Sequence, residues 1–71
     1  MNQVNPKKIL DSKWTAATPK DGDKHFTVTR LWWEKRGKLS QVQLTGVVTG
    51  SQRAIHWREL KDNDKWRPGW H

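Results

Sequence analysis

The chain has no cysteine, few acidic side chains and no long apolar run, and each shortage removes a class of answers. Without cysteine there is neither a disulfide to staple the fold nor a thiolate to hold zinc, and the lack agrees with a reducing compartment, so a cytoplasmic protein is expected. Without an apolar stretch longer than a few residues there is no membrane span. Met1 to Leu10 carries lysines with no hydrophobic segment after them, so neither a signal peptide nor a membrane partner is expected. Seven acidic residues against fourteen basic ones leave a formal charge of +7, which favours anionic partners such as nucleic acid or an acidic protein surface.

What the chain does have is tryptophan. Seventy-one residues make one domain, 1–71, and a chain this short hides only about 60% of the surface it exposes when unfolded. With a hydrophobic fraction of 32%, the six tryptophans and Phe26 are the obvious source of a core, since each buried tryptophan removes roughly 150–250 Å² from water. The expected core is Trp14, Phe26, Val28, Val42, Leu44, Val48, Ile55, Trp57, Trp66 and Trp70. A monomer is expected.

Read in order, Asn5-Pro6 is a helix-start signal, so residues 1–12 are expected to be flexible or a short helix. From Lys13 the apolar period changes to two, giving a strand to Thr18, and Thr18 to Asp23 is a polar turn. His25 to Glu34 is rich in β-branched and aromatic residues; regular alternation puts Phe26, Val28 and Trp32 on one face and Leu31 and Trp33 on the other. Lys35 to Lys38 closes a hairpin, Gln41 to Val48 alternates cleanly, Thr49 to Gln52 turns again, and Arg53 to Arg58 is a last short strand. The predicted fold is therefore mainly β: a four-stranded antiparallel twisted meander with short helical N- and C-terminal segments. Residues 59–71 form a docked tail in which Asp62 caps a helical turn. Pro68-Gly69 then makes a type II turn that folds Trp70 back toward Trp66.

Three groups of residues carry a resemblance: Lys13-Trp14-Thr15-Ala16; Lys24-His25-Phe26-x-Val28; and Trp57-Arg58-Glu59-Leu60-Lys61-Asp62 followed by Lys65-Trp66-x-Pro68-Gly69-Trp70. Together they resemble a family of small bacterial tryptophan-rich proteins of unknown function. Trp14, Trp57, Trp66 and Trp70 match its pattern. The resemblance implies a compact bacterial domain and assigns no catalytic or binding residue.

For function, the pairing of aromatic side chains with basic ones points to a non-catalytic binding surface. Single strands are held by aromatic faces interleaved with cations, so RNA or single-stranded nucleic acid is the expected partner. The expected contact set is Trp33 with Arg30, Lys35, Arg36, Lys38, His56, Arg58, Lys61, Lys65 and Arg67; Gln41 and Gln43 share the surface, and Lys7, Lys8 and Lys13 add a basic arm. The competing expectation is a protein-interaction module that takes an acidic, extended or proline-rich segment. His25, His56 and His71 are too widely spaced for a metal site, Asp21-Gly22-Asp23 lacks the further ligands of a calcium loop, and no cofactor is expected. A chain with no nucleophile motif and little volume for a pocket is not expected to be an enzyme.

Overall fold

The computed structural model describes residues 2–20 and 22–71, Lys20 by its backbone alone. Met1, and Asp21 of the expected polar turn, lie outside the described residues. Five antiparallel strands form one sheet: β1 Lys13–Lys20, β2 Asp23–Trp33, β3 Leu39–Gly46, β4 Gln52–His56 and β5 Trp66–Pro68. Their spatial order is β4-β3-β2-β1-β5. The first four make the expected meander, since only short turns join them. Gly37 supplies the positive φ (82°) that the β2–β3 hairpin needs, and the amide of Glu34 donates to Lys38 O at 2.7 Å across its mouth.

The ends of the chain differ from expectation. No helix follows Asn5-Pro6. Asn5 closes a single turn by accepting from the amides of Lys7 and Lys8, and Asp11, at φ 66°, stops any continuation. One isolated turn cannot offset the cost of helix nucleation, and here Asp11 and Ser12 instead extend the β1–β2 ladder through Val28. At the other end the expected tail is a fifth strand: Trp14, Thr15 and Ala16 pair with Pro68, Arg67 and Trp66. The helical element lies earlier, as a 3₁₀ turn over Trp57–Lys61 with His56 at its N-cap. Asp62 does cap a turn, accepting from the amide of Asp64 at 2.9 Å, but it is a tight reversal into β5. A strand forms here because β1 would otherwise present an unpaired edge.

The sheet has one apolar face, and a cover lies on it. Trp14, Ala16, Phe26, Val28, Val42, Leu44 and Trp66 are buried with Ile9 of the N-terminal segment and Leu60 of the 3₁₀ turn, and Val4, Leu31, Ile55 and Trp57 pack around them. Phe26 meets Trp66 edge to face, with ring centres 5.4 Å apart. Asn2 fastens the cover by donating through its side chain to the carbonyls of Leu60 (2.8 Å) and Trp66 (2.6 Å). Val48, expected in the core, is 78% exposed, because β3 ends at Gly46 and Val48 belongs to the following turn.

A β-bulge corrects the expected phase of β2. Val28 faces Leu44, but the next partner pair is Arg30 and Gln43, so Thr29 and Arg30 together oppose one residue. Beyond the bulge the alternation is inverted: Leu31 pairs with Val42 on the apolar face, while Trp32, paired with Gln41, turns to the opposite one.

Asp23, expected in a polar turn, is fully buried at the start of β2. Its carboxylate accepts from the amides of Val48 (2.9 Å) and Thr49 (3.1 Å) and from the hydroxyls of Thr49 and Ser51, tying β2 to the β3–β4 turn. A Cβ on Gly46 would collide with this carboxylate, so only glycine fits there. The Thr49 hydroxyl, helped by the two amides and by Ser51 and opposed by burial, lowers the Asp23 pKa from 3.8 to about 2.

Candidate nucleic-acid interface

The face of the sheet opposite the core is open along most of its width. Partner registers place its residues in rows across the strands: Arg67, Thr15 and His25; Lys13, Thr27, Thr45 and Gln52; Arg30, Gln43 and Ala54; and Trp32, Gln41 and His56. None of these positions is acidic. The described acids lie elsewhere: Asp11 in the turn before β1, Asp23 in its buried staple, Glu34 in the hairpin, and Glu59, Asp62 and Asp64 in the 3₁₀ turn and the reversal after it. The outer rows thus carry Lys13, Arg30 and Arg67 with no acid among them, whereas the acids of the 3₁₀ turn and the reversal lie among Arg58, Lys61 and Lys65.

Two aromatic stations stand on this surface. At one, the guanidinium of Arg30 lies 5.0 Å from the centre of the half-buried Trp32 ring; the two share a face as residues i and i+2 of a strand, and the bulge before Arg30 turns that face outward. At the other, Trp70 lies against His25, ring centres 5.8 Å apart and planes inclined by 29°, with the Lys13 ammonium 5.3 Å from its ring. His25 and Trp32 are seven positions apart along β2, roughly 20 Å at a strand's rise per residue. Between them lie hydroxyls and amides that bond to one another, Thr29 to Thr45 at 2.8 Å and Thr29 to Gln43 at 3.4 Å.

Trp70 reaches this place through the Pro68-Gly69 turn. Gly69 has φ 82°, as a type II turn requires, and its amide donates to Lys13 O at 2.8 Å. The turn carries Trp70 away from Trp66, around the β1 edge and onto the outer face, where its indole N–H donates to Phe26 O at 3.1 Å. Trp70 is 43% exposed and is not a core residue. Thr15 holds the turn by donating to Gly69 O at 2.7 Å, and it accepts from the amide of His71 at 3.0 Å.

The chain belongs to the tryptophan-rich protein family DUF2389. The match spans residues 12–71, and so covers the whole sheet and both aromatic stations. No curated protein and no solved structure matches the chain.

The residues expected to bind are not all brought together in this DUF2389 chain. Arg30, His56 and Arg67 lie on the outer face, and Gln41, Gln43 and Lys13 join them. Trp33 is 54% exposed, but its alternation from Leu31 sends it to the inner side, past the rim of the cover. Lys35, Arg36 and Lys38 occupy the exposed β2–β3 loop at the end of the platform. Arg58 and Lys61 stand 5.8 and 4.8 Å from the Trp57 ring, on the side of the molecule that carries the acids. Lys65 pairs with Glu59 at 3.7 Å. Sequence reasoning missed Trp32 and Trp70 as the stations. A bulge hid Trp32, and Trp70 has the pattern of a core residue because its neighbours in the chain, Trp57 and Trp66, pack inward.

Proposed function

We propose that this protein is a non-catalytic binding module of the bacterial cytoplasm that holds RNA or another single-stranded nucleic acid across the outer face of its sheet. The observation that carries the reading is an acid-free sheet face on which two tryptophans, each beside a cation, stand roughly 20 Å apart. Trp32 and Trp70 would stack on bases, a contact worth roughly 1–3 kcal/mol for each base. Lys13, Arg30 and Arg67 would meet phosphates, with Lys35, Arg36 and Lys38 extending the positive field beyond the hairpin. Gln41, Gln43 and His56 present donors and acceptors to base edges and 2′-hydroxyls between the stations.

The test is the salt dependence of binding to a short unstructured oligonucleotide, followed by tryptophan fluorescence. Affinity should fall linearly on log–log axes, with a slope of about 0.7 for each phosphate contacted. The alternative partner is an extended polypeptide added along β4, whose outer edge is unpaired in the strand order. A profile flat in salt, with peptide capture that survives loss of Trp32, would favour that partner and overturn the nucleic-acid reading.

A further inference from the structure

The two edges of the sheet are finished differently. At the β5 edge, the backbone groups that point away from β1 are either paired or missing. The Trp66 amide donates to Asp62 O at 2.9 Å, and Trp66 O accepts from the Asn2 side chain at 2.6 Å. Pro68 has no N–H, and its carbonyl oxygen lies 2.7 Å from a ring nitrogen of His71. The β4 edge has no such finish. Gly46 donates to Ser51 O at 2.8 Å, so the alternation of an antiparallel ladder commits Arg53 and Ile55 to β3. The same alternation turns the backbone groups of Gln52, Ala54 and His56 outward. The His56 C=O, at the N-cap, is taken up by the 3₁₀ turn. The N–H and C=O of Gln52 and Ala54 and the N–H of His56 have no backbone partner among the described residues, and all three residues are exposed.

We propose that two copies of this chain join edge to edge along β4, about a two-fold axis at Ala54, so that their sheets become one. β4 pairs with β3 without a bulge and contains neither proline nor lysine, so its edge is not blunted. Its arginine, Arg53, lies on the inner side, its guanidinium 5.1 Å from the Phe26 ring centre and 5.8 Å from that of Trp66. It repels only a strand that sets another cation opposite it, and the register at Ala54 avoids this. There the Ala54 amide and carbonyl of each copy bond those of the other, each His56 amide meets the other's Gln52 carbonyl, and Arg53 stands opposite Ile55. An axis at Arg53 would set the two arginines directly opposite each other, and an axis at Ile55 would run the ladder into the 3₁₀ turn. The strand is therefore complementary to itself in one register, in which the stem of Arg53 covers the half-buried Ile55 of the other copy. Each copy carries a formal charge of +7, so repulsion opposes association and the expected monomer is the dilute form. The joint does not depend on the nucleic-acid reading.

Sedimentation of the full chain from micromolar to millimolar concentration should show a reversible monomer–dimer equilibrium. It should tighten as salt rises, because salt screens the like charges of the two copies. Over the same range, hydrogen exchange at the Ala54 and His56 amides should slow with concentration, with Arg53 and Ile55, already bonded to β3, as controls. Ala54→Lys sets two ammonium groups face to face across the axis and should weaken the dimer at least ten-fold. If that variant unfolds, Ala54→Pro takes its place, since it removes the central donor on the side of the strand where an edge tolerates proline. The proposal is overturned if the chain stays monomeric at millimolar concentration, or if salt weakens the dimer. It is equally overturned if the Ala54 and His56 amides exchange at rates independent of concentration, or if the folded variants dimerise as the parent does. A chain that stays monomeric while an added unstructured peptide of β-branched residues slows the Ala54 amide would give the edge to a polypeptide partner instead.

Discussion

The two faces of the sheet use the same residue type for opposite ends. On the inner face Trp14 and Trp66 are almost wholly buried, and Trp66 meets Phe26 edge to face under a cover drawn from both ends of the described chain. On the outer face Trp32 and Trp70 keep part of their rings in contact with solvent, each beside a cation. A tryptophan's large apolar ring and single N–H suit both settings, so environment decides the role. The inner rings contribute stability. The outer ones keep ring area exposed, on which the proposed nucleic-acid partner would stack.

That contrast can be broken most forcefully at Trp66. Replacing it with alanine should destabilise the fold by about 3–5 kcal/mol, read as a shift in the urea midpoint. A loss below 1 kcal/mol would mean that the inner face is not the core. Gly46→Ala comes next, at about 1–3 kcal/mol, because the added methyl group must displace the Asp23 carboxylate. The same staple sets an acid limit. Asp23 has its folded pKa depressed from 3.8 to about 2, so its contribution is complete above the unfolded value and is lost as pH falls from about 4 toward 2. Asp23→Asn should remove that part of the pH dependence of the melting temperature while leaving the neutral region flat.

Trp32→Ala tests the outer face. It should cost roughly 1–3 kcal/mol in oligonucleotide binding, with a smaller effect on stability. Trp33→Ala, one residue away and on the other side of the strand, should change both by less than about 1 kcal/mol. Equal losses of binding from these neighbours would contradict the outward placement of Trp32 that the bulge sets.

Much of the architecture was legible from local pattern. Alternation in Gln41 to Val48, glycines at the hairpins and the β-rich run from His25 were enough to place the central strands, because each signal needs only neighbouring residues. The N-terminal helix and the four-strand count failed where a local signal met a competing long-range partner. Asn5-Pro6 starts a turn, but Ser12 and Asp11 find the β2 ladder; Trp66 to Pro68 is too short to read as a strand, yet it has the free edge of β1 to pair with. The buried Asp23 left no sequence signal beyond its polarity, since its donors come from residues 48 to 51.

The sequence by itself determined that this chain would be mainly β, positively charged and dependent on aromatic rings for its core. It also set the Pro68-Gly69 turn, whose geometry follows from the preferences of those two residues. Tertiary structure decided which tryptophan goes where. One extra residue at Thr29 inverts every side chain after it, and the edge of β1 determines on which side the Pro-Gly turn delivers Trp70. Both outcomes depend on the register between strands, and register is set by pairing across the sheet.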